Sequence, residues 1–270
     1  MTFSISTNGS GGGSWQRTLQ ELLTRQQRTF AQLASGKRIT SAADDAAGQA
    51  IARRLEADSR GFAVGERNVA DGRDLARIAD GAMQSTHDAI SRMRELAVQA
   101  GNGALSADDR ATLQQEFDQL AGQIDQTAHG VSFGGRALLD GSAGGDEAIE
   151  ITDGAGGSTR LDLPDAGAAA LGVAGLDVAD PHTLTSLDAA AAQVADARAA
   201  MGAAEQTFSR QQEQLAVARV DHEAARSRLE DADLAQATAE RARQGMLVQM
   251  TLLGLRSGAS TDRHRLDLLG

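Results

Sequence analysis

The chain has 270 residues and a formal net charge of −11 at pH 7, which argues against nucleic acid as a partner because phosphate binding rests on basic patches. Aromatic residues make up 3% of it, prolines number two and cysteines none. Disulfides and thiolate metal sites are therefore excluded, and a chain this rich in Ala, Leu, Gln, Glu and Arg reads as long helices with an alanine–leucine core.

Residues 1–14, MTFSISTNGSGGGS, are rich in Gly, Ser and Asn and read as flexible. They lack the basic and apolar regions of a secretory signal peptide. From Trp15 the apolar positions Trp15, Leu19, Leu22, Leu23, Phe30 and Leu33 follow helical spacing, and Ser35–Gly36 closes the segment with Gly36 as its C′ residue. A connector with Lys37 and Arg38 leads to Ser41-Ala-Ala-Asp44. There the Ser41 hydroxyl can accept from the Asp44 amide, and the Asp44 carboxylate can reach back to the Ser41 amide, a capping-box variant. Asp45 adds negative charge at the helix start, worth about 0.3–1 kcal/mol against the helix dipole. A second helix is predicted from near Ser41 to as far as Ala100, with Ala46, Ala47, Gly48 and Ala50 leaving a smooth face for close backbone approach.

The later half of that helix carries an unbroken 3–4 alternation, Ala76, Ala79, Met83, Thr86, Ile90, Met93 and Ala97, which predicts a coiled-coil seam. AGNGALSADDR (100–110) is a turn. The same capping grammar, Ser106-Ala-Asp-Asp109, opens a third helix with seam residues Leu113, Phe117, Leu120 and Ile124, ending around HGVSFGGRALLDG. Two alternating runs, Ala148–Thr152 and Thr159–Leu163, separated by DGAGGS, predict a β-hairpin. Heptads then resume at Leu187, Ala191, Val194, Arg198, Met201, Glu205, Phe208, Gln212, Leu215, Ala218, His222, Ala225 and Leu229. Four of these thirteen are polar, so this seam is predicted to be weaker, and the step of three from Leu215 to Ala218 predicts local overwinding without a break. A last helical piece covers 232–255, followed by a polar tail that reads as loose. Its most apolar window, MLVQMTLLGL (246–255), is far short of the roughly 20 residues that span a bilayer. The fold class predicted is mainly α: a long antiparallel α-helical coiled-coil bundle with a small β-hairpin insert around 140–180.

Little in the sequence carries chemistry. His222-Glu223-x-x-Arg226 resembles the zinc-protease pattern H-E-x-x-H, but Arg226 is a permanent cation where the second ligand belongs, and His222 lies on the seam. No phosphate-binding loop, dinucleotide fingerprint or nucleophile elbow occurs. No enzyme activity, catalytic residue, cofactor or metal is expected. The paired acids Asp44–Asp45 read as a helix start, since the same device recurs at Ser106–Asp109.

These segments together resemble bacterial flagellins. LASGKRITSAADDAAGQAIA (33–52), MRELAVQAGNG (93–103), FGGRALLDG (133–141), ALGVAGLDV (170–178) and ARSRLEDADLAQATAE (225–240) follow the family's signatures in family order. The resemblance implies an N-terminal inner-tube helix over 1–42, a helical core from 43–139 and 185–231, a β-hairpin region at 140–184, and a C-terminal inner-tube helix and tail over 232–270. It implies a short form without large outer variable domains, self-assembly into an extracellular flagellar filament, and export without a cleavable signal peptide. Implied partners are further copies of the chain, an export chaperone, hook-associated and cap proteins, and the innate immune flagellin receptor, but neither nucleic acid nor membrane. Subunit packing falls to Leu19, Leu22, Phe30, Leu33, Met246, Leu247, Met250 and Leu253. The spoke between inner and outer tube falls to Arg38, Ser41, Asp44 and Asp45, and the receptor-facing positions to Arg92, Leu96 and Glu116. The glycine-rich N-terminus, read as breaking the first helical turn, and the extended tail depart from the family pattern. A hook–filament junction protein is the alternative.

Overall fold

The computed structural model describes the backbone of residues 10–267, and side chains for residues 17–254 except 146, and for 256. Five helices account for most of the described chain: α1 (Ser10–Ser35), α2 (Ala46–Ala100), α3 (Ala107–Gly130), α4 (Thr183–Glu230) and α5 (Leu234–Asp267). Between α3 and α4 lie two small antiparallel ribbons, β1 (Ser132–Phe133) with β2 (Arg136–Ala137), and β3 (Ile149–Thr152) with β4 (Ser158–Leu161). The mainly α architecture with a β-hairpin insert is thus as predicted. Two ends differ. Helix α1 already includes Gly11–Gly13, and α5 continues through the polar tail to Asp267. The expectation of a glycine-broken first turn and a loose tail is corrected accordingly, although residues 1–9 lie outside the described residues.

The chain divides into two compact units, residues 1–57 with 222–270, and residues 58–221. The second unit holds the larger core. Every seam residue predicted on α2, from Ala76 through Thr86 to Ala97, is buried, and Phe117 and Ile124 of α3 join them. On α4 the apolar seam positions Leu187, Val194, Met201, Phe208 and Leu215 are buried as well. Three of the four polar positions that weaken this seam are paired with α2. Arg198 meets Asp80 at 2.9 Å, Glu205 meets Arg77 at 3.3 Å, and Gln212 accepts from Arg73 at 3.0 Å. Arg219, seven residues beyond Gln212, meets Glu66 at 2.8 Å. Numbers rise on α4 as they fall on α2, so the two helices run antiparallel. The ladder selects register and orientation, as flanking charges do in coiled coils, more than it adds stability.

The β3–β4 hairpin docks on a second face of α2, away from the seam. Gly61, Gly65, Asn68 and Gly72 recur at steps of four, three and four along one helix face. A Cβ on Gly65 would stand 1.8 Å from the carbonyl oxygen of Asp153, and one on Gly61 would stand 2.9 Å from that of Gly154. The glycines, each about 1 kcal/mol worse than alanine in a helix, therefore admit the hairpin tip to backbone contact. Asn68 donates its side-chain amide to the Thr152 carbonyl at 3.1 Å and Ile151 packs over Gly72, while Gln211 of α4 donates to the Thr159 hydroxyl at 2.6 Å.

Candidate functional site

The site lies in the first unit, where α1 packs against α5 and the connectors beyond them pair. The connector after α1 turns at Gly36, whose φ of 67° lies in the left-handed region that favours glycine. Its carbonyl accepts from the Ala232 amide at 2.9 Å, and Lys37 bridges Asp231 in antiparallel fashion. Lys37 also extends its ammonium to Glu230 at 2.9 Å, and Arg38 donates its guanidinium to the Leu229 carbonyl at 2.8 Å. The basic pair thus holds the end of α4 beside the end of α1. Asp233 then starts α5, its carboxylate accepting from the amides of Ala235 and Gln236 at 2.9 and 3.0 Å.

The Ser41–Asp45 segment follows the predicted grammar only in part. Asp44 accepts from the amides of Thr40 and Ser41 at 3.1 and 3.0 Å, and from the Thr40 hydroxyl at 2.8 Å. Helix α2, however, begins at Ala46, with Asp45 accepting from the Gly48 amide at 2.8 Å. Asp45 is therefore the capping residue, and Ser41–Asp44 forms a turn before the helix. At Ser106 the complete capping box forms, the Ser106 hydroxyl accepting from the Asp109 amide and Asp109 accepting from the Ser106 amide. A side chain can serve as cap or as turn-former; beside this turn Ile39 is buried, with its Cδ1 close to Gly48 in the first turn of α2.

The Thr40 hydroxyl, aided by the two amides and by Arg28 at 2.5 Å, holds the Asp44 carboxyl down to about 2 from 3.8. Because the native value is depressed, the stabilisation is present above the unfolded value and is lost as pH falls through the native one. Asp44→Asn is expected to remove part of the acid transition between about pH 4 and pH 2 in the helical signal of the full chain. Superimposable acid titrations of the two proteins would contradict this role.

The α1–α5 pair is antiparallel, since Thr29 meets Gln244 while Gly36 meets Ala232. Its interior is thin. Leu19, Leu22, Gln26, Thr29 and Leu33 face inward from α1 at steps of three and four, and Ala237, Gln244, Val248 and Thr251 face inward from α5. Other large apolar residues point the other way. Phe30 is 57% exposed, Met246 64%, Met250 70% and Leu253 59%, and Leu23, Leu247 and Leu252 join them. The predicted packing residues thus separate into Leu19, Leu22 and Leu33, half-buried within the pair, and Phe30, Met246, Leu247, Met250 and Leu253, open to solvent. Trp15 lies outside the described side chains. Helical spacing alone could not make this division, because both faces carry leucines.

In the second unit, Arg92 of α2 reaches Glu116 of α3 at 2.8 Å and Glu95 at 2.8 Å. Glu95 first and Glu116 second raise the pKa of this guanidinium. Leu96 is fully buried beneath, at 0% exposure. A partner approaching this patch meets Arg92 and its carboxylates, and Leu96 supports them from the core.

Among the described residues no group of three or more His, Asp or Glu side chains could hold a metal, and no helix is long and apolar enough to cross a membrane. His222 sits half-buried on α4, within the run of seam positions.

Comparison with known proteins identifies the family. The profile of the bacterial flagellin N-terminal helical region matches residues 5–144, and that of the C-terminal helical region matches residues 184–255. Flagellin B of Vibrio anguillarum is 38% identical over 165 residues, 61% of this chain and 43% of that protein. Flagellin A of Vibrio cholerae serotype O1 (strain ATCC 39541 / Classical Ogawa 395 / O395) is 43% identical over 144 residues, 53% of this chain and 38% of that protein. The match therefore spans about two-fifths of the length of these relatives. A crystal structure of Bacillus cereus flagellin aligns with a TM-score of 0.49 at 30% identity, over 55% of this chain and 88% of that one. With both helical regions matched in chain order, this chain belongs to the bacterial flagellin family.

Proposed function

We propose that the chain is a structural subunit that assembles with further copies of itself into the extracellular flagellar filament, and that it is not an enzyme. The observation that carries this reading is the apolar outer face of the α1–α5 pair, where Phe30, Met246, Met250 and Leu253 are exposed while Thr29 and Thr251 are buried inside. An apolar face of this kind marks an interaction surface. Burying Met246, Met250 and Leu253 against another copy would contribute about 5–9 kcal/mol before the cost of association. The exposed residues on α1, Leu23 and Phe30, differ from those on α5, so a patch on one copy can meet a different patch on the next. Such heterologous contacts extend into an open helical polymer where an isologous contact would close.

Under this reading Leu19, Leu22 and Leu33 hold the inner-tube pair together, while Phe30, Met246, Leu247, Met250 and Leu253 pack between subunits. Arg38, Ser41, Asp44 and Asp45 form the spoke. The export chaperone would take the same apolar face of α5 before assembly, and hook-associated and cap proteins would meet the filament ends. The innate immune flagellin receptor would read Arg92 and Glu116. Seeded polymerisation of the purified chain followed by negative-stain microscopy tests the proposal. Filaments of flagellar width are expected, and a protein that stays unpolymerised at every seed and protein concentration would overturn it.

A further inference from the structure

The chain holds three asparagines, Asn8, Asn68 and Asn102, and the two that are described sit in surroundings of opposite chemical consequence. Asn68 lies within α2, is followed by the β-branched Val69, and donates its side-chain amide to the Thr152 carbonyl at 3.1 Å. Asn102 is followed by Gly103 in the turn between α2 and α3, and residues 101–104 are all exposed. Both ends of that turn are anchored. Ala100 at the end of α2 is buried, and the Ser106–Asp109 capping box fixes the start of α3. Asn8 lies outside the described residues.

The turn readies Asn102 for attack by its own backbone. The Ala104 amide donates to the Asn102 side-chain oxygen at 3.1 Å, and the Leu105 amide donates to the Asn102 backbone carbonyl at 3.1 Å. The first bond closes an Asx turn, which curls the side chain back along the main chain. It also polarises the side-chain carbonyl, because the donor faces the oxygen on which negative charge develops when a nucleophile adds. The nucleophile at hand is the Gly103 nitrogen, whose N–H makes no hydrogen bond among the described residues. Neither space nor backbone angle calls for a glycine here. Nothing lies within 4 Å of an added Cβ at Gly103, and its φ is outside the left-handed region. Gly141 and Gly154, which follow Asp140 and Asp153, differ in having φ of 82° and 71°. An alanine at 103 would therefore keep the turn.

We propose that Asn102 is a site of spontaneous deamidation, which converts the α2–α3 turn to an aspartate or isoaspartate link. The Gly103 nitrogen gives up its proton to water or hydroxide and bonds to the Asn102 side-chain carbonyl carbon. The bond from that carbon to the side-chain nitrogen breaks, ammonia leaves and a succinimide ring remains. Water then opens the ring at either carbonyl, so the whole change consumes water, releases ammonia and needs no oxidant or cofactor. One opening gives aspartate on an unaltered main chain. The other gives isoaspartate, with the main chain rerouted through the side-chain carbon. Both products set a carboxylate just beyond the C-terminus of α2, where the helix dipole disfavours negative charge. Isoaspartate also lengthens the main chain between two anchored ends. The turn ages in one direction, from a neutral amide to a charged link that fits it less well.

The test uses the full chain, aged in solution at neutral and at mildly alkaline pH and mapped by mass spectrometry after acidic proteolysis. Asn68 is the internal reference. Asn102 is expected to convert at least about tenfold faster than Asn68, and faster at the alkaline pH, with succinimide, aspartate and isoaspartate all found at that position. Gly103→Ala is expected to keep the parent's helical signal and to slow the conversion at least about fivefold, because its methyl group obstructs ring closure. The parent is also aged in urea, where the turn is lost. The folded chain is expected to convert within about tenfold of the unfolded one, or faster, because the turn already holds the reacting groups together. A folded rate lower than that would overturn the proposal. Equal rates at Asn102 and Asn68, or a parent-like rate in Gly103→Ala, would do so too. The reaction is read without polymerisation, so its outcome is separate from that of filament assembly.

Discussion

Met250→Glu is expected to abolish polymerisation while leaving the folded chain unchanged. In the free subunit Met250 is 70% exposed, and a substitution at such a site typically moves stability by no more than about 0.5 kcal/mol. In the polymer the same position would be buried against a neighbour. The variant then forfeits about 1.5–3 kcal/mol of apolar burial and places a carboxylate where it is desolvated without a partner, a further penalty of several kcal/mol. A combined loss of about 4 kcal/mol raises the critical concentration roughly a thousandfold. Sedimentation should find the variant in the supernatant at concentrations where the parent pellets, and circular dichroism should find the two indistinguishable. Deleting residues 236–270 should have the same outcome at the level of filaments while unit 58–221, with its own core, stays folded. Filaments of normal length from either protein would remove the α5 face from the assembly mechanism.

Gly65→Val is expected to detach the β3–β4 hairpin from α2 and to cost about 3 kcal/mol or more. Its added Cβ would lie 1.8 Å from the Asp153 carbonyl oxygen and 2.4 Å from the carbonyl carbon. These are backbone atoms of a hairpin tip that is itself locked by Asp153, which accepts from the amides of Ala155 and Gly157 at 2.8 and 2.9 Å. Neither side can yield by changing a rotamer, which places the variant at the severe end of overpacking. For a unit of this size the loss corresponds to a fall in Tm of about 6–12 °C. Gly81→Val on the same helix, where nothing stands within 4 Å of an added Cβ, is the control. It should show only the modest effect of changing a helical residue. Equal melting of the two variants would mean that the close approach at Gly65 has no energetic consequence.

Both expectations depend on distinctions that differ in how they can be read from sequence. Periodicity alone was sufficient for the α2 seam, because Ala76 through Ala97 repeat a single local rule that holds wherever the partner lies. The resemblance to flagellins was likewise carried by local motifs, and the hairpin by its alternating runs and turn glycines. The α4 seam looked weak because Arg198, Glu205 and Gln212 were polar, and their partners Asp80, Arg77 and Arg73 lie more than a hundred residues away. Gly61, Gly65 and Gly72 looked like helix-weakening residues until a backbone arrived against them. On α1, Leu22 and Leu23 are chemically identical neighbours, and only the position of α5 makes one half-buried and leaves the other exposed.

By itself, then, the sequence determined the helical class, the turns, the seams and the family, since each follows from local propensity and spacing. Tertiary structure alone decided which acid caps α2, which glycines admit the hairpin, and which face of α5 stays open. Each of those outcomes depends on where a distant segment of the chain comes to rest, and no rule of spacing within one helix contains that information.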